Sequence, residues 1–498
     1  MQFYHSTQFN KRKKADVLVL PYWKGKQRTV LPAFESLKIK ESILSEVLAT
    51  HDFKGEVGEV LIFYVAGEVE SRFCLIGLGS KESVTVEMLR RSFGALTKKC
   101  LARHLKKINL LIPQQMVISQ ECMLKGIAEG LLLPNYSFRK YKSYHKESEI
   151  FSPLESVNWI GSLKNVLNSV LPIAQIGEVV NYARDLINGN ADEVTPHYLT
   201  QCAREIARAH PTVKTVILDK KQLIKEKMGL LLAVSRGSDV DPVMIILEYR
   251  GNPKSKDKTV LVGKGVTYDT GGLNLKPTGS METMKCDMSG AAVCLGTILA
   301  ASKLKLKVNF TVVIPSTENA VDAKSYKPGD VYRSYSGKTV EMMNSDAEGR
   351  LILADALSYS IKHLQPSRII DIATLTGAID IALGSEAAGL MSTDDALAEA
   401  LMQAGSETNE RLWRMPLFEE YKERLKSDIA DIKSWNGRSA GSNVAATFLR
   451  YFVDESIPWA HIDIASTAYL SESKKYTPKY ATGYGVRLIL RFLQNQVA

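Results

Sequence analysis

The sequence lacks several patterns that would place it in a common structural class. Its six cysteines are scattered over 498 residues and form no CxxC pair, which argues against a disulfide framework and against a thiolate zinc site. No apolar run approaches the roughly 18 residues of a membrane span. The apolar stretch at 17–20 is shorter than the core of a signal peptide, about 7–15 residues. These absences favour a soluble protein of the reducing cytoplasm, without a membrane partner.

Common catalytic motifs are missing as well. There is no HExxH, and no two of the eight histidines stand at a ligand-pair spacing, so a histidine-based zinc site is not expected. Gly-Lys-Thr at 337–339 is not a P-loop, because Tyr332 stands where its first glycine is needed. A composition of 45% hydrophobic and 24% charged residues is typical of a globular protein. The length indicates about two or three domains.

Positive charge is concentrated in the N-terminal third of the chain. Residues 1–160 contain 24 Lys and Arg against 16 Asp and Glu, whereas the rest of the chain is nearly balanced at 40 and 38. The densest basic run is KRKK at 11–14. Such an excess serves either solubility or attraction to nucleic acid, and charge alone does not decide between them. A nucleic-acid-binding N-terminal domain therefore stays open as an alternative function.

Apolar periodicity predicts an α/β protein with two domains. In the first part, short apolar runs bounded by turn residues predict strands at 15–23, 60–66, 73–77 and 108–112, and helical spacing predicts a helix at 88–105. A polar, tyrosine-rich stretch at 134–157 is interpreted as a surface excursion, and helical spacing returns at 172–188, where a helix would join the two parts.

Strand-like and helical patterns then alternate through 213–380, which is typical of βαβ units with a mostly parallel sheet. The strand-like runs include 259–262, 308–314 and 368–372, and the helical ones 290–304 and 351–363. We predict a smaller N-terminal α/β domain at 1–165. A larger catalytic domain at 166–498 should contain a mixed, mostly parallel sheet flanked by helices.

Two segments concentrate the residues that carry chemistry: 262–290, VGKGVTYDTGGLNLKPTGSMETMKCDMSG, and 344–351, NSDAEGRL. Next to predicted strand ends they place the charged residues Lys264, Asp269, Lys276, Asp287, Asp346, Glu348 and Arg350. Ligands bind at the carboxyl ends of strands in open α/β sheets. After the apolar run at 340–343, an extended chain would point Asp346 and Glu348 to one side.

Four acids at one sheet edge repel one another unless cations hold them. Oxygen-rich clusters of this kind hold two divalent ions about 3.5–4 Å apart, with a bridging water as nucleophile. The alternative for any single acid is an ordinary strand-end or helix-cap carboxylate. The joint occurrence of four acids, two lysines and an arginine in glycine-rich loops favours the metal site.

Both segments resemble signatures of the leucine aminopeptidase (cytosol aminopeptidase) family of two-metal exopeptidases. NSDAEGRL is similar to NTDAEGRL, with Ser345 for the usual threonine, and VGKGVTYDTGG is similar to VGKGxTFDxGG, with Tyr268 for phenylalanine. The resemblance covers roughly residues 175–495. Other similar segments are ARDLINGNADEVTP (183–196, with Gly189 where proline is common), LEYRGNP (247–253), LKP (275–277), MKCDMSGAA (284–292), IATLTGA (372–378) and ATGYGVRLIL (481–490).

The resemblance implies a role for each matching residue. Metal ligands would be Lys264, Asp269, Asp287, Asp346 and Glu348. Of these, Asp269 and Glu348 would bridge two Mn²⁺ or Zn²⁺ ions, Lys264 and Asp287 would complete one site, and Asp346 the other. Lys264 would have to coordinate as a neutral amine, which requires a large fall from its free pKa of about 10.4.

Other implied roles concern catalysis and binding. Lys276 would stabilise the oxyanion of the tetrahedral intermediate, and Arg350 would hold a bicarbonate that relays a proton. The first side-chain pocket would include Met284, Thr374, Leu375 and Gly377, although Met284 could equally fill the core. The resemblance further implies removal of the N-terminal residue, leucine or another mostly apolar one, from peptides, and a homohexamer.

A serine hydrolase is the second alternative. Gly437-Arg-Ser439-Ala-Gly441 matches GxSxG, and Asp454 and His461 follow in the order of a Ser, Asp, His triad. A nucleophile elbow needs a strand directly before the serine. Residues 428–436, DIADIKSWN, are polar and poor in β-branched residues, which argues against that strand.

Overall fold

The structure is a computed structural model that describes residues 1–25, 41–66, 68–113, 117–143 and 151–497. Contacts divide the chain into an N-terminal unit, Met1–Glu178 with Glu472–Lys479, and a catalytic unit, Val179–Ser471 with Tyr480–Ala498. The division falls within a helix, Val166–Asn188, that spans the region where sequence predicts a joining helix. In the predicted surface excursion, residues 134–143 and 151–155 form no helix or strand, and 144–150 lie outside the described residues.

The N-terminal unit is built on a six-stranded sheet in the order β1-β6-β5-β2-β4-β3. Its neighbouring strands pair in parallel, except that β3 is antiparallel to β4. The strands are β1 (Gln2–Ser6), β2 (Val17–Tyr22), β3 (Val60–Tyr64), β4 (Arg72–Gly77), β5 (Lys107–Leu111) and β6 (Ser156–Ile160). The helices are α1 (Glu41–Ala49), α2 (Val86–Ala102), α3 (Gln120–Leu132) and the first part of α4 (Val166–Asn188).

Alternating side chains of β2 show how the sheet supplies two cores. Val17 and Val19 pack with α2 and α3 on one face, while Leu18 and Leu20 pack on the other face with Leu44 of α1. Because successive residues of a strand point to opposite faces, an uninterrupted apolar run indicates a strand that is buried on both sides. The prediction of strands from such runs is confirmed here.

A buried ion pair fastens the basic N-terminal segment to this sheet. Arg12 Nη2 lies 2.8 Å from Glu70 Oε2, and the Arg12 side chain is only 3% exposed. The amide of Asn109 on β5 also donates to Glu70 Oε1, at 2.5 Å. Arg12 is therefore not accessible to nucleic acid, whereas Lys11, Lys13 and Lys14 are exposed.

Removing the carboxylate of this pair should destabilise the N-terminal unit strongly. Glu70→Ala leaves the Arg12 charge buried without its partner, and breaking such a pair typically costs about 3–5 kcal/mol. The exposed Glu121 of α3 is the control, since Glu121→Ala should cost less than about 1 kcal/mol. Hydrogen exchange of the β5 amides measures both changes. Equal exchange in the two variants would show that the pair contributes no stability.

The catalytic unit is built on a nine-stranded mixed sheet in the order β16-β15-β18-β14-β9-β11-β8-β7, with β10 also paired to β11. Its strands are β7 (Val213–Leu218), β8 (Val243–Arg250), β9 (Thr259–Gly263), β10 (Gly265–Asp269), β11 (Asn309–Asn319), β14 (Arg368–Ala373), β15 (Ala388–Ser392), β16 (Leu412–Arg414) and β18 (Trp459–Asp463). Smaller sheets contain β12 (Val331–Arg333), β13 (Thr339–Glu341) and β17 (Ile432–Lys433), and β19 (Tyr469–Leu470) with β20 (Tyr480–Ala481).

The helices of this unit cover the large sheet and bury its apolar side chains. They are α5 (Pro196–Ala209), α6 (Lys220–Lys225), α7 (Gly229–Val234), α8 (Ser289–Leu304), α9 (Glu348–Leu364), α10 (Gly377–Leu383), α11 (Asp395–Thr408), α12 (Glu420–Glu423), α13 (Gly441–Arg450) and α14 (Val486–Asn495). By length and composition, Met284–Leu304 is apolar enough to cross a membrane, but 83% of its apolar window is buried. Its apolar character is that of a core helix.

Five strands of the large sheet that are linked by parallel pairings end at one edge. β9, β10, β11, β14 and β18 are connected by parallel pairings. The carboxyl ends of such strands form the edge where α/β sheets bind ligands. The fold thus confirms the predicted α/β architecture with a mixed, mostly parallel sheet and brings the ends of separate strands to a common place.

Candidate metal centre and active site

Four charged side chains lie buried at this edge of the sheet. Asp269 is the last residue of β10, and Lys264 stands between β9 and β10. Asp287 belongs to a 3-10 turn, Met284–Met288, that leads into α8, and Glu348 is the first residue of α9. Each of the four is less than 5% exposed. Segments far apart in sequence therefore place three carboxylates and an amine together, away from water.

Lys264 stands at the centre of this group. Its Nζ lies 2.8 Å from Asp287 Oδ2, 2.8 Å from Glu348 Oε1 and 2.9 Å from the carbonyl oxygen of Thr374. Burial acts to lower the pKa of Lys264, but the surrounding carboxylates outweigh it and raise the pKa above its ordinary value. Lys264 thus neutralises part of the acid charge when no cation is bound.

Lys276 occupies the more open side of the same cluster. Its Nζ lies 2.8 Å from Asp269 Oδ2 and 2.6 Å from Asp346 Oδ1. The side chain is 14% exposed, so solvent reaches it, unlike Lys264. Burial opposes its positive charge, yet the neighbouring carboxylates raise the pKa of Lys276. The ammonium group therefore faces both the acids and the entrance.

Three carboxylates approach closely enough to share a cation. One ligand oxygen from each of Asp269, Asp346 and Glu348 lies within 4.8 Å of the others. Burial, together with repulsion from Glu348, raises the pKa of Asp269 to about 7, and raises the pKa of Asp287 and Asp346 as well. The pKa of Glu348 falls, because the two lysines outweigh its burial. The acids are thus assembled against their mutual repulsion.

The route by which Asp346 and Glu348 converge differs from the sequence prediction. The expectation of an extended chain through Asp346 and Glu348 was wrong, and the strand before them, β13, belongs to the small three-stranded sheet. Asp346 lies in a turn after it, and Glu348 begins α9. The two carboxylates are brought together by a tight turn that leads into a helix. They do not lie on the same face of a strand.

The sequence analysis missed four polar residues that hold the two acidic segments together. Asn319, at the end of β11, donates from Nδ2 to Asp269 Oδ1 at 2.7 Å and to the carbonyl oxygen of Ser345 at 3.0 Å. Ser345 Oγ accepts from Asn274 N at 2.7 Å, and Tyr326 donates to Ser345 O at 2.5 Å. Asn319 could have been identified from sequence as a polar residue that ends an apolar strand. The other three residues have no comparable sequence feature.

Two glycines permit the close packing of these segments. A Cβ at Gly349 would lie 2.7 Å from Lys264 Nζ, so only glycine lets the lysine pass over the start of α9. Gly271 has a φ of +88°, and a Cβ there would lie 3.0 Å from Asp346 Oδ1. A side chain at either position would displace a charged group of the cluster.

Arg350 lies two residues beyond Glu348 and is also buried. Its Nη1 donates to the carbonyl oxygen of Ser434 at 2.9 Å, while its Nε has no acceptor among the described residues. Burial lowers the pKa of Arg350 to about 10, which still leaves it charged at neutral pH. A charged, buried guanidinium with a free N–H fits an anion such as bicarbonate.

Thr374 and Leu375 lie in the loop between β14 and α10, and Gly377 is the first residue of α10. Thr374 Oγ1 donates to Asp287 Oδ1 at 2.7 Å. Met284 is half-buried and begins the turn that carries Asp287. The loop is thus tied directly to the acid cluster. Leu375 and Gly377 are at least partly accessible.

The residues of the serine hydrolase alternative are engaged elsewhere. Ser439 is exposed, and no strand runs directly into it. Asp454 accepts a hydrogen bond from Ser456, and the wholly buried His461 pairs through Nδ1 with Asp371 Oδ1 at 2.5 Å. The structure does not form a Ser, Asp, His triad from these residues.

The donor set at the sheet edge fits divalent cations. It consists of four carboxylates and one amine, and carboxylates are common ligands of Mn²⁺ and Zn²⁺. Asp287 Oδ2 and Glu348 Oε1 are buried and accept no well-directed hydrogen bond, although each lies 2.8 Å from Lys264 Nζ. Buried carboxylate oxygens without a well-directed hydrogen-bond donor are able to bind a cation.

Comparison with known proteins agrees with this geometry. Residues 181–490 match the catalytic domain of the cytosol aminopeptidase family, and residues 19–145 match its N-terminal domain. Probable cytosol aminopeptidases from Protochlamydia amoebophila and Chlamydia abortus are 61% and 44% identical to this chain, each over 99% of both chains.

Solved structures of similar fold cover nearly the whole chain. A mutant of tomato leucine aminopeptidase superposes with a TM-score of 0.87 at 30% identity, covering 99% of this chain and 96% of the other. The bottromycin maturation enzyme BotP in complex with Mn gives 0.85 at 29% identity, covering 97% of this chain and 100% of the other. Family match, identity and fold agree, and the chain belongs to the cytosol aminopeptidase family.

Proposed function

We propose that this protein is a metal-dependent aminopeptidase that removes the N-terminal residue, leucine or another mostly apolar one, from peptides. Family membership supports the aminopeptidase activity. The observation that carries the metal dependence is the convergence of Asp269, Asp346 and Glu348, whose ligand oxygens lie within 4.8 Å of one another. The complex of BotP with Mn supports Mn²⁺ as one candidate.

In this proposal Lys264 and the four acids of the cluster would hold two divalent ions, Mn²⁺ or Zn²⁺. Asp269 and Glu348 would contribute to both ions, Lys264 and Asp287 to one, and Asp346 to the other. When bound, the ions would polarise the scissile carbonyl and lower the pKa of a water molecule. Lys264 must lose a proton to take part, so binding of the ions should release protons.

In this proposal Lys276 stabilises negative charge that develops on the substrate, and Arg350 assists proton transfer. The Lys276 side chain is partly exposed and would be placed to donate to the oxyanion of the tetrahedral intermediate. The buried Arg350, whose Nε has no acceptor among the described residues, would hold bicarbonate as a proton relay. The substrate's free α-amine binds at the acid cluster, which restricts hydrolysis to the first residue.

The remaining expectations stay predictions. They are a homohexamer, a cytoplasmic location, and a side-chain pocket made by Met284 and the loop that carries Thr374, Leu375 and Gly377. Nucleic-acid binding also stays a prediction. It rests on the exposed Lys11, Lys13 and Lys14 of the basic run, because Arg12 is buried in its ion pair.

Loss of a bridging carboxylate should remove metal and activity together. Asp269→Ala or Glu348→Ala deletes an oxygen ligand from both proposed ions, so metal content and turnover should fall below detection. The matched control is Asp380→Ala, an exposed acid of α10 outside the cluster, which should keep both. Mass spectrometry of bound metal measures the outcome. Two ions retained per chain in either ligand variant would refute the bridging roles.

Peptides with a blocked N-terminus should not be cleaved. An acetyl group removes the basicity and the charge of the α-amine, so N-acetyl-leucyl peptides should resist hydrolysis while the free peptides are cleaved. Stripping the metal with a chelator should abolish cleavage of the free peptides, and adding Mn²⁺ or Zn²⁺ should restore it. Comparable rates on blocked and free peptides would indicate a different reaction.

Lys276 should affect the chemical step more than substrate binding. A donor that acts mainly in the transition state, when lost, typically lowers kcat by about 10²–10³. Lys276→Ala should therefore lower kcat by that amount with little change in KM or bound metal. Arg350→Ala should be milder, and added bicarbonate should restore part of its kcat. A Lys276→Ala protein with full kcat, or without metal, would show that its role is different.

A further inference from the structure

Asp463 is a buried carboxylate to which the proposed mechanism gives no role. It is the last residue of β18, which pairs in parallel with β14, so that Asp463 lies opposite Ala373. The residue is 0% exposed, and no described cation forms an ion pair with it. A buried carboxylate without an ion pair depends on donated hydrogen bonds, and the charge of Arg350 acts on Asp463 only from beyond ion-pair distance. The donors therefore show which groups Asp463 holds in place.

The donors to Asp463 come mainly from the loop that follows β14. Asp463 Oδ1 accepts from Leu375 N at 3.0 Å, from Ala465 N at 3.2 Å and, more weakly, from Thr376 N at 3.4 Å. Its Oδ2 accepts from Thr376 Oγ1 at 2.7 Å. That hydroxyl also lies 2.7 Å from Ser442 Oγ, which must then be the donor. Asp463 thus fixes both the backbone and the side chain of this loop.

The preceding residue of the same loop, Thr374, contacts the candidate metal ligands. Its carbonyl oxygen accepts from Lys264 Nζ at 2.9 Å, and its hydroxyl donates to Asp287 Oδ1 at 2.7 Å. A carbonyl oxygen can only accept a hydrogen bond. The contact with Lys264 therefore persists whether the lysine is an ammonium or a neutral amine, and it directs the nitrogen lone pair away from Thr374.

We propose that Asp463 is a positioning residue of the metal site. By holding Leu375 and Thr376, it keeps the Thr374 carbonyl on Lys264 and the Thr374 hydroxyl on Asp287. Lys264 and Asp287, the two predicted ligands of one ion, are thereby oriented by a residue of β18. That strand contributes no predicted ligand itself. This inference rests on the proposed function and adds to it a residue that orients the metal ligands without binding metal.

The test compares Asp463→Ala with Asp355→Ala. Asp355 is a matched control, since it is also a wholly buried carboxylate that accepts from backbone amides, namely Leu230 N at 2.9 Å, Leu231 N at 3.0 Å and Tyr335 N at 2.7 Å. Residues that orient metal ligands typically contribute about 10–100-fold to metal affinity. Mn²⁺ titration of the stripped, folded proteins against a competing chelator should show a loss of that size for Asp463→Ala. Asp355→Ala should bind Mn²⁺ as the unmodified protein does.

Milder variants keep the test decisive if Asp463→Ala fails to fold. Thr376→Val preserves shape but deletes the hydroxyl on Asp463 Oδ2, and it should weaken Mn²⁺ binding, while Thr376→Ser should restore it. Mn²⁺ affinities equal to that of the Asp355→Ala control in all these variants would overturn the positioning role and leave the proposed function intact. An unmodified protein that binds no Mn²⁺, Zn²⁺ or Mg²⁺ would overturn both.

Discussion

Mutual repulsion among four carboxylates is the constraint on which the catalytic unit depends. Two like charges 4 Å apart repel by about 4 kcal/mol at an effective dielectric constant near 20. Three of the four acids are also withdrawn from water, whereas Asp346 is exposed. Lys264 and Lys276 each contact two of the acids, and they offset part of the repulsion. The balance still leaves the pKa of Asp269 raised to about 7. In the proposed function, divalent cations would supply the compensation that the two lysines do not.

The fold resists this repulsion by anchoring the three buried acids to different secondary-structure elements, while Asp346 lies in a turn. Asp269 ends a strand, Asp287 lies on a 3-10 turn, and Glu348 begins a helix whose N-terminal dipole favours a carboxylate. Neutral donors complete the support: Asn319 joins Asp269 to the segment of Ser345, and Ser345 in turn binds Asn274 across the two acidic loops. A serine suffices at 345 because its hydroxyl accepts from Asn274 N, while Asn319 donates to its backbone carbonyl oxygen.

Much of this arrangement could be predicted from sequence, for identifiable reasons. Strands such as β9 and β14 are buried on both faces, and continuous apolar runs mark them. The acidic segments were recognisable because the resemblance to a family rests on charged residues at fixed spacing. The long helix α8 was predicted within a residue of its start, from the helical pattern at 290–304.

Other features were not predictable, because they depend on contacts between distant residues. The short strand β13 looks like a strand of the main sheet, and only its pairing with β12 and β17 assigns it elsewhere. Asn319 lies 50 residues from Asp269 in sequence, and an amide carries no mark of its partner. The same holds for Asp463, which looks like an ordinary strand-end acid until its hydrogen bonds to the loop at 375–376 are seen.

Calorimetric titration of the metal-stripped protein tests the central claim most directly, that cations replace the lysine ammonium groups as partners of the acids. Titration of Mn²⁺ or Zn²⁺ in two buffers of different ionisation enthalpy gives both the number of ions and the number of protons released. The account predicts two ions per chain, with release of about one proton from Lys264 and an additional fraction from the acids near neutral pH. Binding of fewer than two ions, or binding without proton release, would contradict it.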